Sequence, residues 1–64
     1  MQPSYARYDV SDLAPAQLTS LGGLLARRNV AHAIERGVLL VFAADERRVD
    51  AALAELERAG AAAR

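Results

Sequence analysis

The side chains most able to do chemistry in this sequence are a single histidine and a few scattered serines and carboxylates. A Ser–His–Asp set can be drawn from Ser20, His32 and Asp12, but no nucleophile-elbow sequence supports it. A zinc site built within one chain needs several suitable ligands, and His32 has only scattered carboxylates to join it. We therefore expect no catalytic residue, no metal ion and no cofactor, and we interpret the chain as a non-enzyme.

Phosphate recognition also has little support in the residue types. The sequence has no lysine, which excludes a Walker-type phosphate loop, and its four glycines cannot form G-x-G-x-x-G. The pairs Arg27-Arg28 and Arg47-Arg48 carry the guanidinium fork that binds phosphate. However, the net charge is zero and no basic stretch occurs, which argues against a nucleic-acid surface. We expect these arginines to be solvated at helix ends.

Two local features allow both a structural and a functional interpretation. His32 alternates with Val30 and Ile34, which predicts a partly buried ring held by one backbone or carboxylate partner. A ligand contact or a pH-sensing role remains open, because histidine titrates near neutrality. The Gly22-Gly23 pair inside a predicted helix favours a close approach to the sheet or a kink, since glycine weakens helices. The alternative is that the glycine pair forms a contact surface or breaks the helix in two.

These residues must be positioned by elements that the hydrophobic spacing predicts. Tyr5–Val10 alternates with period two and predicts a strand. An amphipathic pattern predicts a helix from about Pro15 to Arg28, with Pro15 at its first position. Gln17 is placed to complete half of a capping box, and Asn29 is a suitable left-handed stop.

The second half of the sequence predicts a β-hairpin followed by a helix. Val30–Glu35 alternates, Arg36-Gly37 is a short turn, and Val38–Ala43 is a run of six apolar residues. Asp45 is a candidate N-cap for the last helix, and Gly60 is expected to end it.

The last helix carries the remaining core positions and one expected ion pair. Glu55 and Arg58 are three residues apart, a spacing that favours a weak exposed pair. Side chains at helical spacing on both helices are expected to face the sheet: Leu18, Leu21, Leu25, Val49, Leu53 and Leu56.

The predicted order of elements is βαββα, an α+β fold. The third strand is apolar on both faces, so we place it in the centre, with sheet order 1-3-2 and both helices on one face. This arrangement is half-ferredoxin-like, without a final strand. We expect one domain over residues 1–64, with its core at about 5–60 and frayed termini. No apolar run approaches the length of a membrane span, and no start resembles a signal peptide, so a cytoplasmic protein is expected.

The open face of such a sheet is a candidate interface. Two helices cover one face only, so one apolar set of the third strand must point away from them. We expect an apolar strip rimmed by Arg7, Asp9 and Glu35, which predicts a homodimer or a complex with another protein. The unpaired edge of the first strand is a second route to association, and a neighbouring domain of a longer chain is an alternative cover. The predicted interface residues are Tyr5, Ala31, Ala33, Leu39 and Val41.

Two segments resemble a known family, and a third resembles a separate group of small proteins. Leu24–His32 is similar to its helix-to-strand junction, Val38–Asp45 to its strand-to-helix passage, and Tyr8–Leu13 to the start of small actinobacterial proteins of unassigned function. The family comprises small bacterial βαββα domains described as signal-transducing proteins and shaped like half of a PII regulator. The resemblance implies a regulatory or protein-interaction module. The alternatives are a small-ligand sensor with its site at a dimer interface and a nucleic-acid-associated accessory domain.

Overall fold

The computed structural model describes residues 3–62 of the chain, so Met1, Gln2, Ala63 and Arg64, which belong to the predicted frayed termini, lie outside the described residues. The elements follow the predicted βαββα order, with a short 3₁₀ turn at Ala43–Asp45 before the last helix. Their bounds are β1 Tyr5–Asp9, α1 Pro15–Arg27, β2 His32–Glu35, β3 Val38–Phe42 and α2 Glu46–Ala62.

The sheet has the predicted order, with β3 in the centre. Strand β3 pairs antiparallel with β1 on one side and with β2 on the other. Strands β1 and β2 therefore run parallel to each other, and α1 connects them across the sheet. A central strand is covered on both edges, which suits the unbroken apolar sequence of β3.

Left-handed backbone conformations end α1 and form the hairpin. Asn29 has φ of 58° and terminates α1, as the sequence predicts. Arg36 and Gly37 have φ of 51° and 77°, so both central residues of the turn have the positive φ that a type I′ hairpin requires. Gly37 is also sterically required, since a Cβ atom there would lie 2.9 Å from the Cβ of Ser11.

The start of α1 is stabilised by a glutamine rather than by a conventional cap. Ala14 occupies the N-cap position, where its side chain offers no hydrogen-bond acceptor. The Ala14 backbone N–H instead donates to Oε1 of Gln17 over 2.8 Å. This contact is the predicted half of a capping box.

The C-terminal end of α2 differs from the prediction, whereas its start, directly after Asp45, agrees with it. Asp45 closes the 3₁₀ turn, and its carboxylate lies 3.6 Å from the guanidinium of Arg48. Gly60 does not end the helix, which continues to Ala62. The prediction of a stop at Gly60 is therefore wrong, because alanine, the best helix former, flanks Gly60 on both sides and sustains the helix.

Both helices pack on one face of the sheet, as predicted. Of the six helical side chains expected to face it, Leu21, Leu25 and Val49 are fully buried. The other three are half-buried against the same cluster: Leu18, Leu53 and Leu56. The buried core consists of Val10, Leu21, Leu24, Leu25, Val30, Leu39, Val41, Val49 and Ala52.

An ion pair joins the two helices. Glu55 accepts a hydrogen bond from Nη2 of Arg28 over 2.7 Å, and not the predicted bond from Arg58. The hydrogen bond from Arg28 is the main reason that the pKa of Glu55 falls below its ordinary value. The end of α1 and the middle of α2 are thus tied together at the surface.

Candidate interaction surface

The register of the strands sorts their side chains onto two faces. Residues directly opposite each other in an antiparallel pair point to the same side of the sheet. The helix-covered side carries Ala6, Tyr8, His32, Ile34, Leu39 and Val41. The opposite side, which we call the open face, carries Tyr5, Arg7, Asp9, Ala33, Glu35, Val38, Leu40 and Phe42.

The placement of Leu39 and Val41 on the open face is wrong. Leu39 is 0% exposed and Val41 is 2% exposed, and both belong to the core beneath the helices. The two-residue turn is the cause, since it pairs Ile34 with Leu39, and Ile34 points inward. Leu40 takes their place on the open face.

The other predicted interface residues lie on or beside the open face. Tyr5 and Ala33 are on it by register, and Ala31 joins them in lining a shallow concavity beside Leu40 and Phe42. Their small or flat side chains leave this region accessible. Whether they contact a partner remains a prediction.

The exposed large apolar side chains are concentrated on the open face. Tyr5 is 57% exposed, Val38 39% and Phe42 37%, and no other large hydrophobic residue in the part of the chain with described burial is as exposed. The rings of Tyr5 and Phe42 stack with centroids 5.3 Å apart and planes 26° from parallel. The helix layer contributes none of this exposed apolar area.

Charge is unevenly distributed along the open face, which consists of three cross-strand rows. The aromatic row holds Tyr5 and Phe42 at one end. The middle row crosses the three strands and carries one charge, which lies on the first strand. The acidic row, at the other end, has a carboxylate on each side of an apolar residue. The middle row is Arg7, Leu40 and Ala33, and the acidic row is Asp9, Val38 and Glu35.

Asp9, at one end of the acidic row, is held in its charged form. The hydroxyl of Ser11 donates to Oδ1 of Asp9 over 2.6 Å, and the Ser11 backbone N–H donates to the same oxygen over 3.0 Å. These two hydrogen bonds lower the pKa of Asp9 below its ordinary value. Asp9 therefore carries a full negative charge at neutral pH.

The outer edge of β1 is unpaired within the described residues. Ala43 N–H donates to the Ser4 carbonyl and Val10 N–H to the Gly37 carbonyl, each over 2.8 Å. Since hydrogen-bonded positions alternate along an antiparallel pair, the backbone groups of Tyr5, Arg7 and Asp9 point away from β3. This is the open edge that the sequence predicts.

The two tyrosines of β1 have different environments. The hydroxyl of Tyr8, on the helix side, donates to Oδ1 of Asp50 on α2 over 3.2 Å. Burial, followed by the Asp50 contact, raises the pKa of Tyr8 above its ordinary value. Tyr8 thus joins β1 to α2, whereas Tyr5 stacks on Phe42 on the open face.

The structure shows the surroundings of the histidine and of the glycine pair. His32 Nδ1 donates to the Val30 carbonyl over 3.0 Å, the backbone partner that the sequence predicts, but the residue is exposed and not partly buried. A Cβ atom on Gly22 would lie 3.7 Å from Nε2 of His32, whereas Gly23 has nothing within 4 Å. The predicted close approach to the sheet is thus found at Gly22 only. The predicted break of α1 is wrong, because α1 is one continuous helix.

The candidate Ser–His–Asp set, a metal-ligand cluster and a membrane-spanning helix are not found in the described part of the chain. Asp12 and Ser20 line different concavities, and His32 lines neither. Over residues 3–62, no three potential metal ligands cluster together. Neither helix combines the length and the apolar character that a membrane span requires.

Comparison of the chain with protein-family models, with curated proteins and with solved structures finds no match. The surface itself is therefore the basis on which a function can be argued.

Proposed function

We propose that the chain is a non-enzymatic, cytoplasmic protein-interaction module that binds its partner through the open face of its sheet. The observation that supports the proposal is the concentration of Tyr5, Val38 and Phe42, the most exposed large apolar residues, on that face. Monomeric proteins rarely leave such side chains contiguous and uncovered, and patches of this kind mark interaction sites.

The layout of the open face suits a protein partner. An apolar centre bordered by charged residues is the usual anatomy of a protein interface. The apolar residues of β3 form the centre, while Arg7, Asp9 and Glu35 lie at its margin. The small side chain of Ala33 lets a partner approach the backbone closely. The charges at the margin would set the orientation of the partner more than its affinity.

A regulatory use of this interaction is favoured by the resemblance to small signal-transducing βαββα domains. In such a module, the sheet supplies the contact and the helix layer supplies the stability. This division agrees with the burial of Leu21, Leu25 and Val49 under a sheet whose other side is uncovered.

A small-ligand sensor is the second candidate function. A concavity on the open face is lined by Arg7, Glu35, Arg36 and Leu40, among others, so two guanidinium groups border an apolar floor. A partner that covered this concavity would enclose a site for an anionic ligand. A rise in melting temperature with an anionic metabolite would favour this function, since a ligand of the native state stabilises it.

Photo-crosslinking in living cells tests the interaction directly. A benzoylphenylalanine replacing Phe42 is expected to give a covalent adduct with a protein, because position 42 lies at the centre of the exposed aromatic row. The same group replacing the exposed Arg58 of α2 serves as the control and is expected to give no specific adduct. Adducts from position 58 and none from position 42 would contradict the proposal.

A further inference from the structure

We infer that the partner on the open face is a second copy of this chain, stacked face to face with the strands of the two sheets antiparallel. This inference rests on the proposed function, because it names the partner of the same surface. Most oligomers are two-fold symmetric, and a two-fold interface requires one patch that complements itself. The open face meets this requirement in both its apolar and its charged residues.

The apolar part of the face is self-complementary along its centre. Val38, Leu40 and Phe42 run the full length of β3, the middle strand, with Leu40 halfway between the other two. A two-fold axis that lies between two stacked sheets and passes over Leu40 places these three residues of one copy on the same three residues of the other. The two copies of Leu40 then meet at the axis.

The charges decide between the two aligned ways of stacking the sheets. If the strands ran parallel, each acidic row would lie on the acidic row of the second copy. Asp9 would then face the Glu35 of the second copy at both margins of the interface. Like charges in a closed interface are costly, and the lowered pKa of Asp9 opposes relief by protonation.

Antiparallel stacking removes this conflict. Each acidic row then lies on the aromatic row of the second copy, so Val38 covers Phe42 and Asp9 meets Tyr5. The Tyr5 hydroxyl has no hydrogen-bond partner within residues 3–62, and it can donate a hydrogen bond to the Asp9 carboxylate of the second copy. Asp9 is thus matched with a hydrogen-bond donor, while Glu35 lies over Ala31 of the second copy at the margin of the face.

Arg7 completes the match at the margin. In the antiparallel stack the two Arg7 residues face each other, and each is flanked by its own Asp9 and by the Asp9 of the second copy. Two arginines and two aspartates therefore form one cluster with no net charge. Placed at the margin, these charges stay partly hydrated and favour one orientation.

The size of the face predicts a weak dimer. Three strands about 4.8 Å apart and five residues long cover about 14 Å by about 17 Å. This footprint is well below the roughly 800 Å² per partner of a standard interface. We therefore expect weak association that becomes detectable as the concentration rises through the micromolar range.

Sedimentation equilibrium of the purified full chain tests the identity of the partner. The mass is expected to rise from 6.8 kDa towards twice that value as the concentration increases through the micromolar range. Leu40→Glu and, at a more exposed site, Phe42→Glu are expected to weaken dimerisation at least tenfold. Ala16→Glu, at an exposed position on the helix layer, is the matched control and should dimerise normally. A monomer at millimolar concentration, or dimerisation unaffected by both face variants, would overturn the inference.

The same data separate this inference from the proposal beneath it. A monomeric chain that still crosslinks to another protein through position 42 would overturn the dimer and leave the interaction module standing. A monomeric chain that captures nothing through position 42 would overturn both.

The orientation has its own test, because the chain has no cysteine. Stacked sheets lie about 10 Å apart, too far for a disulfide, so a short bis-maleimide crosslinker is used. A mixture of Val38→Cys and Phe42→Cys chains is expected to give a crosslinked heterodimer, and Phe42→Cys alone is expected to give little. Efficient crosslinking of Phe42→Cys alone, without the mixed product, would overturn the antiparallel arrangement.

Discussion

Val41→Glu is expected to unfold the domain, whereas Leu40→Glu is expected to give a folded monomer, although the two residues are adjacent on β3. The Val41 side chain is 2% exposed beneath the helices, so a glutamate there would bury a charge with no partner. Such a charge costs several kcal/mol, which is comparable to the roughly 3–10 kcal/mol of total stability expected for this length.

Leu40 lies on the other side of the sheet, where a glutamate meets different neighbours. Its cross-strand partners are Arg7 and Ala33, so the new carboxylate would lie opposite a guanidinium and remain accessible to water. Circular dichroism with urea titration should show a cooperative transition for Leu40→Glu and none for Val41→Glu. A folded Val41→Glu protein, or an unfolded Leu40→Glu protein, would mean that the faces are assigned the wrong way round.

Leu25→Ala, the substitution with the second large expected effect, should lower the free energy of unfolding by about 2–5 kcal/mol. Leu25 is fully buried between α1 and the sheet, and its removal leaves a cavity that the neighbouring side chains fill only in part. The same spacing argument places Leu53 towards the sheet, but Leu53 is only half-buried. Its replacement by alanine should therefore lower the free energy of unfolding by less.

Urea denaturation at one fixed protein concentration measures these costs, because dimerisation links stability to concentration. Thr19→Ala, at an exposed position of the same helix, is the matched control and should change stability by about 0.5 kcal/mol or less. Equal costs for Leu25→Ala and Thr19→Ala would contradict the assignment of the buried face of α1.

The order of the elements could be predicted because local signals and hydrophobic period agree at most positions. The alternation of β1, the left-handed Asn29 and the Arg36-Gly37 turn each act over a few residues, and the structure confirms all three. The central place of β3 was also predicted from sequence, because a strand that is apolar on both faces suits the middle of a sheet.

Which side chains of β3 point towards the helices could not be predicted from the β3 sequence alone, because its two faces are almost equally apolar. The signal lay in the hairpin: a two-residue turn pairs Glu35 with Val38 and Ile34 with Leu39. Since the alternation of β2 already places Ile34 inward, Leu39 must point inward as well. Leu40 was therefore recoverable as an interface residue from the turn length.

The contacts that sequence reasoning missed depend on tertiary structure. Glu55 has Arg58 three residues away, but α1 brings the Arg28 guanidinium to 2.7 Å from its carboxylate, and that contact prevails. The end of α2 was missed for a different reason, since Gly60 alone does not outweigh the alanines around it. Neither miss affects the open face.

The most direct test of the claim that the open face is the interface is an isotope-filtered NOE spectrum of a mixed sample, half ¹³C-labelled and half unlabelled. Val38 and Phe42 stand at opposite ends of β3, about 13 Å apart within one chain, too far for an internal NOE. We expect NOEs between the Val38 methyl groups of one copy and the Phe42 ring of the other. Intermolecular NOEs from helix residues alone, with none from Val38 or Phe42, would contradict it.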